Sequence, residues 1–131
     1  MTMPHRQLLE YCLQKPGAYE DHPFGPESTI VKVCGKIFAQ LFFLHGTPMM
    51  TVNCDAPIGE FYRQLYSNAV RRGYHCPPIQ QPYFNTVDLT AGLSQEELLR
   101  MIDHSYARVV AKLPKKARPA PLQTPDGEST I

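Results

Sequence analysis

Between Ser28 and Cys54 the chain offers three strand-like runs separated by turns that leave room only for reversal. Residues 28–34 alternate and are rich in β-branched side chains, residues 37–44 form the most apolar run, and residues 49–54 form the third. Gly35-Lys36 fits a two-residue hairpin of type II′, with the glycine supplying the positive φ. His45-Gly46-Thr47-Pro48 turns the chain again. Parallel strands need a crossover of a dozen or more residues, so these runs can pair only as an antiparallel meander.

Helical patterns flank the meander. Residues 4–15 start with a proline in the first turn and place Leu8, Leu9, Cys12 and Leu13 on one face; Pro16-Gly17 stops them. Residues 18–27 read as a loop. Asp55 caps a helix over residues 56–67 whose Ile58, Phe61, Tyr62, Leu65 and Tyr66 form an amphipathic stripe. After Arg71-Arg72-Gly73 a short strand is expected at 74–76, then a proline-rich loop, then a strand at 84–89. Ser94 and Glu97 form a capping box, each side chain reaching the other's backbone N–H. The helix they open buries Leu98, Ile102, Val109 and Leu113, keeps Tyr106 at its margin, and ends at Pro114. The expected order is α-β(3)-α-β(2)-α, an α+β fold with helices mainly on one face of an antiparallel sheet. Residues 1–114 form the domain, and 115–131 read as a flexible, basic, proline-containing tail.

With 131 residues the chain suits one domain, and a hydrophobic fraction of 43% is enough for one core. Lys and Arg number 13 against 12 Asp and Glu, a net charge of +1, so a nucleic-acid partner would have to be held by a local patch. Trp is absent. The longest apolar stretch, Leu41 to Leu44, is only strand length, so a cytoplasmic protein with no membrane partner is expected. Its four cysteines are then reduced thiols.

Catalytic and metal signals are weak. Cys12, Cys34, Cys54 and Cys76 are far apart, with no Cys-x-x-Cys pair to present two thiolates to zinc. They read as small buried hydrophobes, with a reactive thiol as the lesser alternative. His75 and Cys76 are adjacent, and in an extended segment they point to opposite faces. Asp103 and His104 diverge on their helix and read as a solvated pair. No phosphate-binding loop, His-x-x-x-His pair or nucleophile elbow is present. No enzyme, metal or cofactor is therefore expected. Basic residues are more suggestive. Lys32 and Lys36 flank the first hairpin, Arg71 and Arg72 precede Tyr74 and His75, and Lys112, Lys115 and Lys116 follow Arg108 at the close of the last helix. From Arg100 to Arg118 six basic residues face one acidic residue, Asp103. Such clusters neutralise phosphates, although cations also favour helix C-termini because of the macrodipole.

Pro23-Phe24-Gly25-Pro26-Glu27-Ser28-Thr29, followed by Lys32-Val33-Cys34-Gly35-Lys36-Ile37-Phe38-Ala39, resembles the MmcQ/YjbR family: a Pro-Phe-Gly loop, a strand, a Gly-Lys hairpin and a second strand. Arg72-Gly73-Tyr74-His75 is similar to its Pro-Gly-Tyr-His stretch, with Arg72 where Pro is usual. Asn85-Thr86-Val87 resembles its Asn-Ser/Thr-Val strand, with Phe84 where Trp is usual. Ile102-Asp103-His104-Ser105-Tyr106 and Leu113-Pro114-Lys115-Lys116 resemble its closing helix and basic end. The resemblance implies a YjbR-like fold, similar to secretion chaperones and loosely to frataxin-like domains, and a DNA-binding label.

Three functions follow as expectations. The first is weak, largely nonspecific binding of double-stranded DNA through Lys32, Lys36, Arg71, Arg72, Lys112, Lys115 and Lys116, with Tyr74 and His75 stacking or hydrogen-bonding. The second is a protein-interaction module, chaperone-like or homodimeric. The third is a small-molecule or metal site, ranked last because frataxin-like iron binding needs an acidic first helix and this one carries only Glu10.

Overall fold

A computed structural model describes residues 3–73 and 76–119. The elements are α1 (Met3–Leu13), β1 (Ala18–Asp21), β2 (Thr29–Val33), β3 (Lys36–Leu44), β4 (Thr47–Asn53), α2 (Ala56–Leu65), β5 (Val70–Arg72), β6 (Phe84–Asp88) and α3 (Gln95–Ala111). The strands form one antiparallel sheet in the order β1-β2-β3-β4-β6-β5. The fold is α+β, with three helices and one strand more than the sequence suggests.

That extra strand, β1, lies where a loop was expected. It is an edge strand of sequence Ala-Tyr-Glu-Asp with no buried side chain, so it shows no apolar alternation. Pairing along β2 forms it, from Ala18 opposite Val33 to Asp21 opposite Ile30. β5 also differs. It occupies Val70–Arg72, just before the expected segment, and only Val70 is buried. Residues 74 and 75 of that expected strand lie outside the described residues.

Both tight hairpins have the same geometry. Val33 pairs with Lys36 and Leu44 with Thr47, so the turn residues are Cys34-Gly35 and His45-Gly46. All four have positive φ: 50° and 79° in the first turn, 52° and 83° in the second. This is the type I′ signature, not II′, and its twist matches that of the flanking strands. Lys36 is thus the first residue of β3 rather than part of the turn.

Residues directly opposite in an antiparallel sheet share a face. Val31, Ala39, Val52 and Asn85 form one such row, and the helices cover it. Leu8 and Cys12 of α1 and Leu98, Met101, Ile102 and Val109 of α3 complete the core there. The next row, Ile30, Gln40, Thr51, Thr86 and Arg71, points to the other face. α2 departs from its expected role. Of its stripe only Tyr62 and Tyr66 pack partly against the core, while Ile58, Phe61 and Leu65 are 41%, 59% and 54% exposed.

Four consecutive residues of α3 tie it to four different places. Asp103 accepts from Tyr11 Oη at 2.6 Å and pairs with Lys15. His104 Nε2 accepts from Asp55 N at 3.0 Å. The Ser105 hydroxyl accepts from Asn53 N at 2.9 Å and donates to Phe38 O. Tyr106 Oη donates to Pro16 O at 2.6 Å. Asp103 and His104 are therefore structural ties rather than a solvated pair. The capping box is also only half of what was expected. Ser94 Oγ accepts from Glu97 N at 3.1 Å, but the Glu97 carboxylate turns to Tyr66 Oη and Arg100.

Residues 115–119, the start of the expected tail, are held to the domain. Lys115–Ala117 forms a 3-10 turn, Arg118 donates to Ala111 O and Leu113 O, and Cys34 Sγ donates to Ala117 O. Residues 120–131 lie outside the described residues.

Candidate functional site

The fold sorts the expected phosphate ligands into three groups. Lys36 opens β3, Lys112 caps α3, and Lys115 and Lys116 occupy the 3-10 turn that follows. The contact between Cys34 and Ala117 holds the hairpin tip against that turn, and Lys36 and Lys112 line one cleft. These four exposed lysines share a corner, and among the described residues none has an ion-pair partner. Lys32 is not part of this group, because its ammonium pairs with Asp21 at 2.9 Å.

Arg71 and Arg72 lie on β5, the far edge of the sheet. β5 is three strand spacings from β3, roughly 14 Å. Moreover, Arg71 is opposite Thr86 and Arg72 opposite Asn85, so their side chains leave by opposite faces. Arg72 lies close enough to Glu60 to help hold that carboxyl below its usual range, after the hydrogen bonds from Gln64 and Arg63. Tyr74 and His75 lie outside the described residues.

A cleft of about 770 Å³ is lined by residues of the sheet face away from the helices together with Phe38, Val52 and Val109 of the core. Ile30, Gln40 and Thr51 contribute to it, with Phe24 from the β1–β2 loop, Phe84 and the end of α3 as walls. Among the described residues no carboxylate lines it. Sequence reasoning missed this feature, because its lining comes from segments as far apart as residues 24 and 113.

The two buried cysteines, Cys12 and Cys54, are poor nucleophiles. Burial pushes the Cys12 thiol up to about 12 and the Cys54 thiol up to about 11, so both stay protonated at neutral pH. Burial also raises the Cys76 thiol. Cys34 is exposed at the hairpin turn, contrary to the expectation of a small buried hydrophobe. Among the described residues no group of three His, Cys, Asp or Glu side chains could hold a metal ion, and no helix is long and apolar enough to cross a membrane.

Two histidines make stability depend on pH. His5 is buried, donates to Met49 O at 3.0 Å, and is held below its usual 6.5 mainly by burial. His104 is lowered by burial and then by Arg108; it must be neutral at Nε2 to accept from Asp55 N. A lowered folded-state pKa means the unfolded chain takes up protons first as pH falls. The stabilisation is therefore complete above pH 6.5 and lost progressively below it. Melting in matched buffers on either side of that value should show a lower Tm on the acid side. An equal Tm would show that neither histidine is depressed.

The sequence model of the YjbR family matches residues 13–108. The chain belongs to the YjbR family. The uncharacterized protein YjbR of Escherichia coli strain K12 is 29% identical over 112 residues, spanning 86% of this chain and 92% of that one. The uncharacterized protein YbdF of Escherichia coli O157:H7 is 28% identical over 112 residues, spanning 86% and 88%. Among solved structures, the Deinococcus radiodurans protein DR2400, a DUF419 domain, superposes with a TM-score of 0.77 at 24% identity over 97% of this chain and 95% of that one. A Pseudomonas syringae protein gives 0.66 at 18% identity, covering 80% and 96%. These two share the fold.

The structure gives physical roles to the stretches that carry the YjbR resemblance. Asn85 is 1% exposed; its amide donates to Gly59 O at 3.2 Å and its oxygen accepts from Arg63 at 2.6 Å, joining β6 to α2. Thr86 exchanges a hydroxyl hydrogen bond with Thr51 at 2.9 Å. Phe84, where the family usually has Trp, lines the cleft.

Proposed function

We propose that this YjbR-family protein is a cytoplasmic, non-enzymatic protein that binds the phosphate backbone of double-stranded DNA weakly and with little sequence preference. The supporting observation is the corner of Lys36, Lys112, Lys115 and Lys116, four exposed cations without carboxylate partners among the described residues. Nothing in that corner reads base edges in the way a recognition helix would. Affinity should therefore come from counterion release.

Four lysines imply a slope of log affinity against log salt of roughly −3.6 on duplex DNA. Affinity should then fall on the order of 100-fold between 50 and 200 mM salt. Anisotropy of a labelled duplex of about 25 base pairs would read this directly. K115A/K116A should halve the slope. R71A/R72A should leave it nearly unchanged, because those side chains leave opposite faces of a distant edge strand. Absence of binding at the lowest salt, where attraction is strongest, would remove the reading.

One observation favours a second reading, a protein-interaction module. α2 exposes Ile58, Phe61 and Leu65 on its surface, and a second 3-10 turn, Gln81–Tyr83, packed against it exposes Tyr83. An exposed apolar face of this kind marks contact with another protein or a second copy of the chain. Sedimentation velocity separates the two readings. A dimer dissociated by F61D supports the second, and a strict monomer removes its homodimeric form.

A further inference from the structure

We propose that the cleft lined by the sheet, Phe24 and the end of α3 is a binding site for a free, small amphipathic anion: an aliphatic or aromatic carboxylate whose apolar body lies on the sheet and whose charge meets Lys36 and Lys112. This goes beyond the DNA reading: it shares Lys36 and Lys112 with the basic corner and adds the apolar cleft beside them.

Three observations carry it. The first is size and lining. A volume of about 770 Å³ lies within the range typical of small-molecule sites. Phe24, Ile30, Ile37, Phe84, Val109 and Leu113 make the walls mainly apolar. Phe24 is 73% exposed at the end of its loop, which places an aromatic ring where an incoming apolar group would meet it.

The second is charge. Lys36 and Lys112 line the cleft, and among the described residues no acidic residue does. Neither the Lys36 nor the Lys112 ammonium has an ion-pair or hydrogen-bond partner among the described residues, whereas the charged groups of Lys15, Lys32, Arg63, Arg100 and Arg108 each have one. An anion beside an apolar wall would gain charge-assisted hydrogen bonds that neither lysine makes within the domain. Two polar groups on the floor are otherwise engaged: the Thr51 hydroxyl with Thr86, and the Asn53 side-chain oxygen with Arg108. The Gln40 side chain and the Asn53 Nδ2 amide remain there to contact a ligand.

The third is convergence. Phe24 comes from the Pro-Phe-Gly loop, Lys36 and Ile37 from the Gly-Lys hairpin, and Leu113 from the closing Leu-Pro-Lys-Lys stretch. These segments are remote in sequence, and all three contribute to the cleft. Residues 103–106 have structural ties that account for them, but a 73%-exposed phenylalanine has no such account.

The test uses the full chain with octanoate and octanamide, which share a length and differ in charge. Calorimetry on the unaltered protein should show one octanoate per chain, bound at least about tenfold more tightly than octanamide, the worth of one charge-assisted hydrogen bond. K36A/K112A should abolish the preference; both side chains are exposed, so folding is not at risk. K115A/K116A should leave octanoate binding intact while weakening DNA binding, so either reading can fail alone. The chain has no Trp, so F84W puts a single indole on the cleft wall. Octanoate should shift its emission saturably. No saturable octanoate binding, equal affinity for the amide, or a preference that survives K36A/K112A would overturn the proposal. So would a dimer that forms through the cleft, excludes octanoate and is broken by F84W, because the occupant would then be a second copy of the chain.

Discussion

Ser105→Ala should destabilise the domain by about 2–5 kcal/mol, the cost of two buried backbone groups left without partners. Ser105 is fully buried on α3. Its hydroxyl stands between β3 and β4 just where their ladder ends at Ala39 opposite Val52. Phe38 is the extra residue of a β-bulge, skipped between the pairs Val31–Ala39 and Lys32–Ile37. Its carbonyl has therefore lost its ladder position, and the Ser105 hydroxyl supplies the donor. The same oxygen accepts from Asn53 N. An alanine methyl would keep the strands apart and satisfy neither group. Urea unfolding should show the loss as a lower midpoint at unchanged slope, and thermal melting as a fall of roughly 4 °C per kcal/mol. A change below about 0.5 kcal/mol would mean that the strands close the gap or that water replaces the hydroxyl.

Gly59→Ala should destabilise by about 2 kcal/mol, the usual cost of overpacking, although alanine is the better helix former by about 1 kcal/mol. Gly59 is the one buried residue of α2. A β-carbon there would meet Cys54 Sγ at 2.5 Å and Arg63 Nη1 at 3.0 Å. Cys54 is buried and cannot swing out to solvent. Arg63 holds Asn85, whose amide in turn donates to Gly59 O, so a shift of α2 would loosen the whole set. C54A/G59A should recover part of the loss, because shortening Cys54 makes the room the new methyl needs. Strict additivity of the two single changes would show that the sulfur is not the obstacle.

Features that depend on a few neighbouring residues were readable. Asp55 caps α2 by accepting from Ile58 N at 3.3 Å, and Ser94 caps α3, both as their side chains suggest. The positions of both hairpins were clear to within one residue, because a glycine with positive φ leaves a local mark. The turn type was not, because shifting the glycine from the first to the second turn position changes the pairing of Val33 and Lys36 without changing the composition. β1 and β5 were missed or displaced for one reason. Each is a short edge strand held by a partner's ladder rather than by its own apolar pattern.

For the candidate site the division is sharper. The basic residues were visible one by one, and their sorting was not. Lys32 went to Asp21, Arg71 and Arg72 to opposite faces of a far edge, and four lysines to one corner. The cleft was invisible, since apolar residues that line it look in sequence like any other core residues.

The sequence by itself determined the antiparallel meander, the three helices and the N-cap residues of two of them, and the family, because each is written in local periodicity, turn residues or short motifs. Only the tertiary structure decided that the stripe of α2 faces solvent, that Ser105 bridges two strands, and that Phe24, Lys36 and Lys112 border one cleft. Local pattern reports what a side chain prefers. Which partner it meets is set by sheet order and chain crossing, and these arise only when distant segments pack.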